Sequence, residues 1–224
     1  MADGAGGFIE TERKYDAEAG FALPDLAGLD GVAAVTRPQT YRLRAVYFDT
    51  ADFRLATAKI TLRRRTGGTD AGWHLKLPAG VDSRREVHAP LGRGASSVPA
   101  RLAELVAGPG GGQPLRPIAL LATTRRLRRL AARDGEVLAE VADDLVTGSL
   151  PAPAAAGPGT SGPGASGMPD WREVSRWREI EIELVTGPRE LLDSAGEALC
   201  HAGAAPSAAA SKLSRLLASA PGGP

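Results

Sequence analysis

Glu10, Glu12 and Lys14 stand at alternate positions in "IETERKY", residues 9–15. In an extended chain, residues two apart point to the same face, so the three groups form a row with about 7 Å between neighbours. Such a row is either an ordinary solvated face or one wall of a site that holds a metal and an anion together. The same alternation recurs downstream. In "REIEIELV", Ile180, Ile182 and Leu184 share one face, and Glu179, Glu181 and Glu183 share the other. In "KITLRRR", Ile60 and Leu62 oppose Lys59, Thr61, Arg63 and Arg65. In "VLAEVADD", Val137, Ala139 and Val141 oppose Glu140, Ala142 and Asp144. Grouped carboxylates suit a hard cation such as Mg2+, which takes oxygen ligands. Grouped Arg and Lys suit phosphate oxygens, Arg as a bidentate fork and Lys as a compact point charge.

These faces need elements to carry them. Segments 8–15, 41–48, 58–65, 72–78, 83–89, 120–130, 136–146 and 174–185 read as strands, with "RTGGTDAG" and "ARDG" as hairpin turns. Segments 98–107, 188–203 and 207–220 read as helices. The tract 148–170, rich in Pro, Gly, Ala and Ser, has too little apolar surface to offset its ordering entropy and reads as a flexible loop; 108–114 is a shorter case. Charged faces on eight strands fit an open antiparallel sheet with one side in water. A closed barrel accounts for them better, because closure removes unpaired edges. Its charged face then lines a lumen and its apolar face packs outward against helices. Like charges on one lumen wall require counter-ions: a divalent metal for the carboxylates, a polyanion for the basic groups.

Composition narrows the classes. The 224 residues suit one domain, expected over 1–220, with 43% hydrophobic and 24% charged residues. Net charge is +1, from 27 basic and 26 acidic residues, so no broad nucleic-acid surface is expected. One cysteine, Cys200, rules out an internal disulfide framework and fits a reducing, cytoplasmic compartment. No signal peptide and no transmembrane helix are read. No Cys/His cluster for zinc, no phosphate-binding P-loop and no nucleophile elbow are read. His88 and His201 read as surface or packing residues, His74 shares the parity of Lys76, and the three tryptophans read as barrel packing.

The segments "ETERK", "VYFDT" (46–50), "LRRR" (62–65), "HLKLP" (74–78), "RRE" (84–86), "TRR" (124–126), "EVADD" (140–144), "EIEIEL" (179–184) and "SKLSR" (211–215) follow one another in an order that resembles the CYTH family, also called triphosphate tunnel metalloenzymes. The likeness covers nearly all of the chain outside the Pro/Gly-rich tracts. It implies an α+β, mainly β fold: an eight-stranded antiparallel closed barrel with flanking helices, whose lumen binds a linear triphosphate with Mg2+ or Mn2+. It further implies that Glu10, Glu12, Asp144, Glu181 and Glu183 bind metal. By the same likeness Lys14, Arg63, Arg65, Lys76, Arg84, Arg125 and Lys212 hold phosphate oxygens, with Glu86, Glu140 and Glu179 in support. Glu12 and Lys76 are the expected catalytic residues; either Glu12 or a second metal activates the attacking water. Asp143 competes with Asp144, and Arg126 with Arg125, for the lumen. Arg64, Arg85, Arg128 and Arg129 are expected to point outward.

Three functions fit this pattern. The first is metal-dependent hydrolysis of the terminal phosphate of inorganic triphosphate or a compact organic triphosphate such as thiamine triphosphate. The second is a class IV adenylate cyclase, for which no adenine pocket is legible. The third is a polyphosphate-binding module without turnover; a pure anion binder, however, has no use for a carboxylate wall that repels its ligand.

Overall fold

Alternating residues produce the eight long strands the sequence predicts. The computed structural model describes residues 7–92, 94, 97–153 and 168–219. Its long strands are β1 Gly7–Ala17, β3 Gln39–Asp49, β4 Thr61–Thr66, β5 Gly72–Gly80, β6 Ser83–Ala89, β7 Arg116–Ala131, β8 Val137–Pro151 and β9 Trp171–Leu184. Two-residue strands, β2 Ala34–Val35 and β10 Ala205–Pro206, add to β7 and β1. The long strands run β1-β6-β5-β4-β3-β7-β8-β9, and β9 returns to pair with β1, closing an antiparallel barrel.

Among the described residues, four helices accompany the barrel: α1 Arg54–Thr57, α2 Ala100–Val106, α3 Glu190–His201 and α4 Lys212–Ala218. The single turn of α1 was not legible in the sequence. Buried Asp49 builds it, its Oδ1 accepting from the Thr50 and Leu55 amides (2.6 and 2.9 Å) and its Oδ2 from Ala56 (2.9 Å). That tie explains the aspartate of "VYFDT" as a structural residue. Leu102 and Val106 of α2 pack on Phe48, Leu62, Trp73, Leu75 and Val87. Leu191, Leu192, Ala195 and Leu199 of α3 pack on Tyr15, Val141, Ile180 and Ile182.

The helix expected over 207–220, which is α4, departs from the outward-packing expectation. Leu213, Leu216 and Leu217 of α4 cluster with Ala45, Tyr47, Ala119, Leu121, Val146 and Trp177. Those barrel positions share the parity of the lumen residues Arg125, Asp144 and Glu179, so α4 packs on the inner face of the wall. Gly148 permits the approach, since a Cβ there would meet Leu216 at 2.6 Å.

The first residues of the low-complexity tract, expected in a loop, are strand. Gly148, Ser149, Leu150 and Pro151 extend β8, paired with Ser175, Glu173, Arg172 and Trp171. Met168 and Trp171 pack on the α2 side of the core. Composition hid this strand end because small residues are what let α4 and β9 approach. The remainder of that tract, 154–167, lies outside the described residues. Stretch 108–114 is a run of hydrogen-bonded turns after α2, with Gly110 N donating to Val106 O at 2.8 Å.

Candidate active site

A cavity of about 270 Å3 opens in the charged part of the lumen. One wall is acidic. Glu10 and Glu12 on β1 face Glu181 and Glu183 on β9, with Glu12 directly opposite Glu183 and Lys14 opposite Glu181. Like charges directly across a sheet repel, so cations must hold this arrangement. Lys14 Nζ lies 2.5 Å from Glu12 Oε1 and 3.2 Å from Glu181 Oε1. Lys76 Nζ pairs with Glu10 and sits 3.4 Å from Glu86 Oε2.

Those lysines do not neutralise the whole wall. Burial, and then a hydrogen bond with Glu86, push the Glu10 carboxyl up to about 8 against the pull of Lys76. Glu183 is raised as well, first by burial, with Lys76 opposing and Glu12 and Glu181 adding to the rise. Burial acts the same way on Glu12, but Lys14 and Lys76 outweigh it and keep this carboxylate below its ordinary range. The wall therefore favours a proton at Glu10, in the place where a cation would fit. All-oxygen donors of this kind fit Mg2+ or Mn2+.

A titration follows from this geometry. A divalent ion bound here must displace the Glu10 proton, so affinity should rise with pH up to about 8 and then level off. Calorimetry in buffers of different ionisation enthalpy should detect proton release at about pH 6 and none at about pH 9. Equal affinity and no release at both would remove Glu10 from the ligand set.

Behind the lining lies a second layer. Asp144, fully buried, accepts from Arg125 Nε (2.8 Å) and Nη2 (2.7 Å), and lies 3.0 Å from Lys212 Nζ. Lys212 Nζ also reaches Glu179 Oε1 (2.6 Å) and Glu181 Oε1 (2.8 Å), while Arg125 Nη2 donates to Glu181 Oε2 (2.7 Å). The ammonium thus sits among three carboxylates whose oxygens lie within 4.8 Å of one another. A capping box on α4 places it there: Ser211 Oγ accepts from Ser214 N at 3.0 Å, making Lys212 the first helical residue. Asp144 and Glu179 do not line the cavity, whereas Arg125, Lys212 and Glu181 do.

Basic groups line the rest of the cavity: Arg63 and Arg65 on β4, and Arg84 on β6, directly across from Glu10 of β1. Arg63 Nη1 donates to Tyr47 Oη (3.4 Å), Arg65 pairs with Asp70, and Arg84 Nη2 donates to Ala210 O (2.6 Å). The Nε atoms of Arg63 and Arg65 are buried with no protein partner. Burial, then Arg63 and Arg125, pull Arg65 down to about 9. These arginines outnumber the carboxylate paired with them, Asp70.

The structure separates the paired alternatives. Arg125 and Asp144 are on the lumen side. Asp143 binds Arg178 (2.8 and 3.0 Å), which in turn donates to the carbonyls of Glu18, Ala19 and Phe21. Arg64, Arg85 and Arg128 are absent from the lining. Arg129, expected outward, shares Arg125's parity and donates to the lining residue Glu140 at 2.9 Å. Tyr47 and Asp70 line the cavity without having been singled out, and His88, expected as a surface or packing residue, lines it too. Tyr47 was detectable as the cross-strand partner of Arg63, and His88 as the residue two beyond Glu86.

This site and fold define the class. The CYTH domain family model matches residues 9–217, and the chain belongs to that family. Uncharacterized proteins of two Mycobacterium tuberculosis strains are 44% identical to it over 220 residues, covering 96% of this chain and 41% of theirs. The chain thus spans about two fifths of the length of these relatives. A solved structure of a candidate adenylate cyclase from Bacillus halodurans shares the fold at TM-score 0.61 and 18% identity, covering 94% of this chain and 98% of its own. A candidate adenylyl cyclase from Hippeastrum, described as having a dominant triphosphatase activity, aligns at TM-score 0.48 and 16% identity, over 93% and 94% of the two chains. Among the described residues, no helix is long and apolar enough to cross a membrane.

Proposed function

We propose that this domain hydrolyses the terminal phosphate of a triphosphate, either inorganic triphosphate or a compact organic one, with Mg2+ or Mn2+. One observation carries the reading: a single cavity of about 270 Å3 brings the carboxylates of β1 and β9, which their lysines do not fully neutralise, together with Arg63 and Arg65 of β4 and Arg84 of β6. A cation-bound triphosphate satisfies both sets of charges at once. Glu10, Glu12, Glu181 and Glu183 would hold the ion, which supplies Lewis-acid neutralisation of phosphate oxygens. Arg63, Arg65 and Arg84 orient the chain of phosphates, with Lys14 and Lys76 beside the carboxylates. Phosphoryl transfer asks mainly for such positioning and charge. Glu12, kept ionised by Lys14 and Lys76, takes the proton of the attacking water, and Lys76 donates to the phosphate oxygens that gain charge.

The test is phosphate release from inorganic triphosphate, thiamine triphosphate, ATP and long polyphosphate, each with Mg2+ or Mn2+, alongside an assay for cyclic AMP. Release from a triphosphate that chelator abolishes supports the reading. Cyclic AMP as the main product from ATP makes the protein a cyclase, and binding without any product makes it a polyphosphate-binding module.

Strand parity makes a second test. Arg65→Ala should weaken triphosphate binding by roughly 1.5–3 kcal/mol, the range for hydrogen bonds to charged groups. Arg64→Ala, one residue away with the parity of the core residue Leu62, should change it by less than about 0.5 kcal/mol. Comparable losses in the two, measured by calorimetry, would contradict an arginine wall built by alternation.

A further inference from the structure

We propose that His74, Glu86 and His88 form a second metal site, selective for zinc, beside the carboxylate wall. The proposal stands independently of triphosphate hydrolysis. His74 on β5 and His88 on β6 are direct cross-strand partners, and Glu86 lies two residues before His88 on the same face. Their rings are 4.2 Å apart, centroid to centroid, and one donor atom from each of the three residues lies within 4.8 Å of the others. Glu86 Oε1 is 2.6 Å from His74 Nδ1 and 3.0 Å from His88 Nε2. The sequence hid this trio because the ligands meet through strand pairing and not through a linear spacing.

The buried histidine supplies a second observation. His74 Nε2 lies 2.9 Å from the Asp70 carbonyl, which can only accept, so this nitrogen carries the proton. In the neutral ring Nδ1 then presents a lone pair to a carboxylate oxygen at 2.6 Å. Two acceptors that close require a proton or a metal ion between them. A metal ion satisfies Nδ1, the carboxylate and the His88 nitrogen together. An imidazole whose remote N–H is held by a backbone carbonyl is the usual support of a histidine ligand, because it fixes tautomer and ring orientation.

The donor set selects the ion. Two imidazoles and one carboxylate suit zinc, whereas Mg2+ prefers oxygen alone. Zinc bonds of about 2.0–2.1 Å need donor spacings of about 3.4 Å, a sub-ångström opening of the present contacts. His88, with its side chain 42% exposed, provides both that adjustment and an entry path. Glu86 and His88 line the cavity, so the remaining coordination position faces it and would take water or an anionic oxygen.

The experiment is zinc titration of the full chain by calorimetry in excess Mg2+, which occupies the oxygen sites, with Co2+ as a spectroscopic probe. One equivalent of zinc should bind, and Co2+ should give the intense visible bands of a low-coordinate site. His88→Ala, at an exposed position, should keep the fold by circular dichroism, lose those bands, and weaken zinc binding by more than the roughly 10–100-fold typical of outer-shell changes. Glu86→Gln should behave likewise. Undiminished zinc affinity in His88→Ala, or no binding in excess Mg2+, overturns the site. So does nitrogen NMR showing His74 protonated on both nitrogens with zinc present, since that proton would be the bridging cation.

Discussion

Replacing Asp144 by alanine should destabilise the fold by about 3–5 kcal/mol, the usual loss when one partner of a buried ion pair is removed. Asp144 is fully buried, its oxygens taken by Arg125 and Lys212. Deleting it strands two cations in the barrel wall, with Glu179 and Glu181 as their remaining partners. By contrast, Glu173→Ala breaks an exposed pair with Arg176 and should change stability by about 0–1 kcal/mol. Urea denaturation of the two variants measures the difference. The Asp144 contribution also has a pH signature. Burial works against its ionised form, but Lys212 and Arg125 outweigh that and depress the carboxyl below 3.8. Its stabilisation is therefore fully present above the unfolded value and lost as pH falls through the folded one. Matching stability in Asp144→Ala and Glu173→Ala would mean that the buried network does not hold the barrel.

Glu12→Gln should remove about 10²–10⁴-fold of turnover, the span contributed by a positioned general base. The substitution keeps the shape of the side chain and an oxygen for Lys14 Nζ, now 2.5 Å away, so the fold should persist. It removes the charge that Lys14 and Lys76 stabilise, and with it both proton acceptance and one carboxylate of the proposed cation wall. Steady-state phosphate release against metal concentration separates these effects. Loss of the base lowers the maximal rate at saturating metal, whereas loss of a ligand raises the metal requirement. Wild-type turnover by this variant in the presence of chelator would end the metal-dependent reading.

Loop composition was the least dependable signal. Gly148 reads as a breaker, yet it extends β8 because its missing side chain makes room for Leu216 and Trp177. The Asp49 turn before α1 was silent for a related reason: one buried carboxylate ties amides six and seven residues away, and no periodicity reports that.

What the amino-acid order determined by itself is which face each group occupies. The two-residue period of an extended chain places Glu10, Glu12 and Lys14 together, as it does Glu179, Glu181 and Glu183, or Arg63 and Arg65. Amphipathic alternation in all eight segments then makes closure the favoured arrangement, as the return of β9 to β1 bears out. Tertiary structure alone decided which opposed groups meet. Strand register, set over long sequence separations, put Glu12 against Glu183 and His74 against His88. The placement of α4 inside the wall drove Lys212 into three carboxylates that a strand-by-strand reading had left open to metal. Parity is a local property of one strand. Charge compensation depends on partners that come within a few ångströms only when the barrel closes.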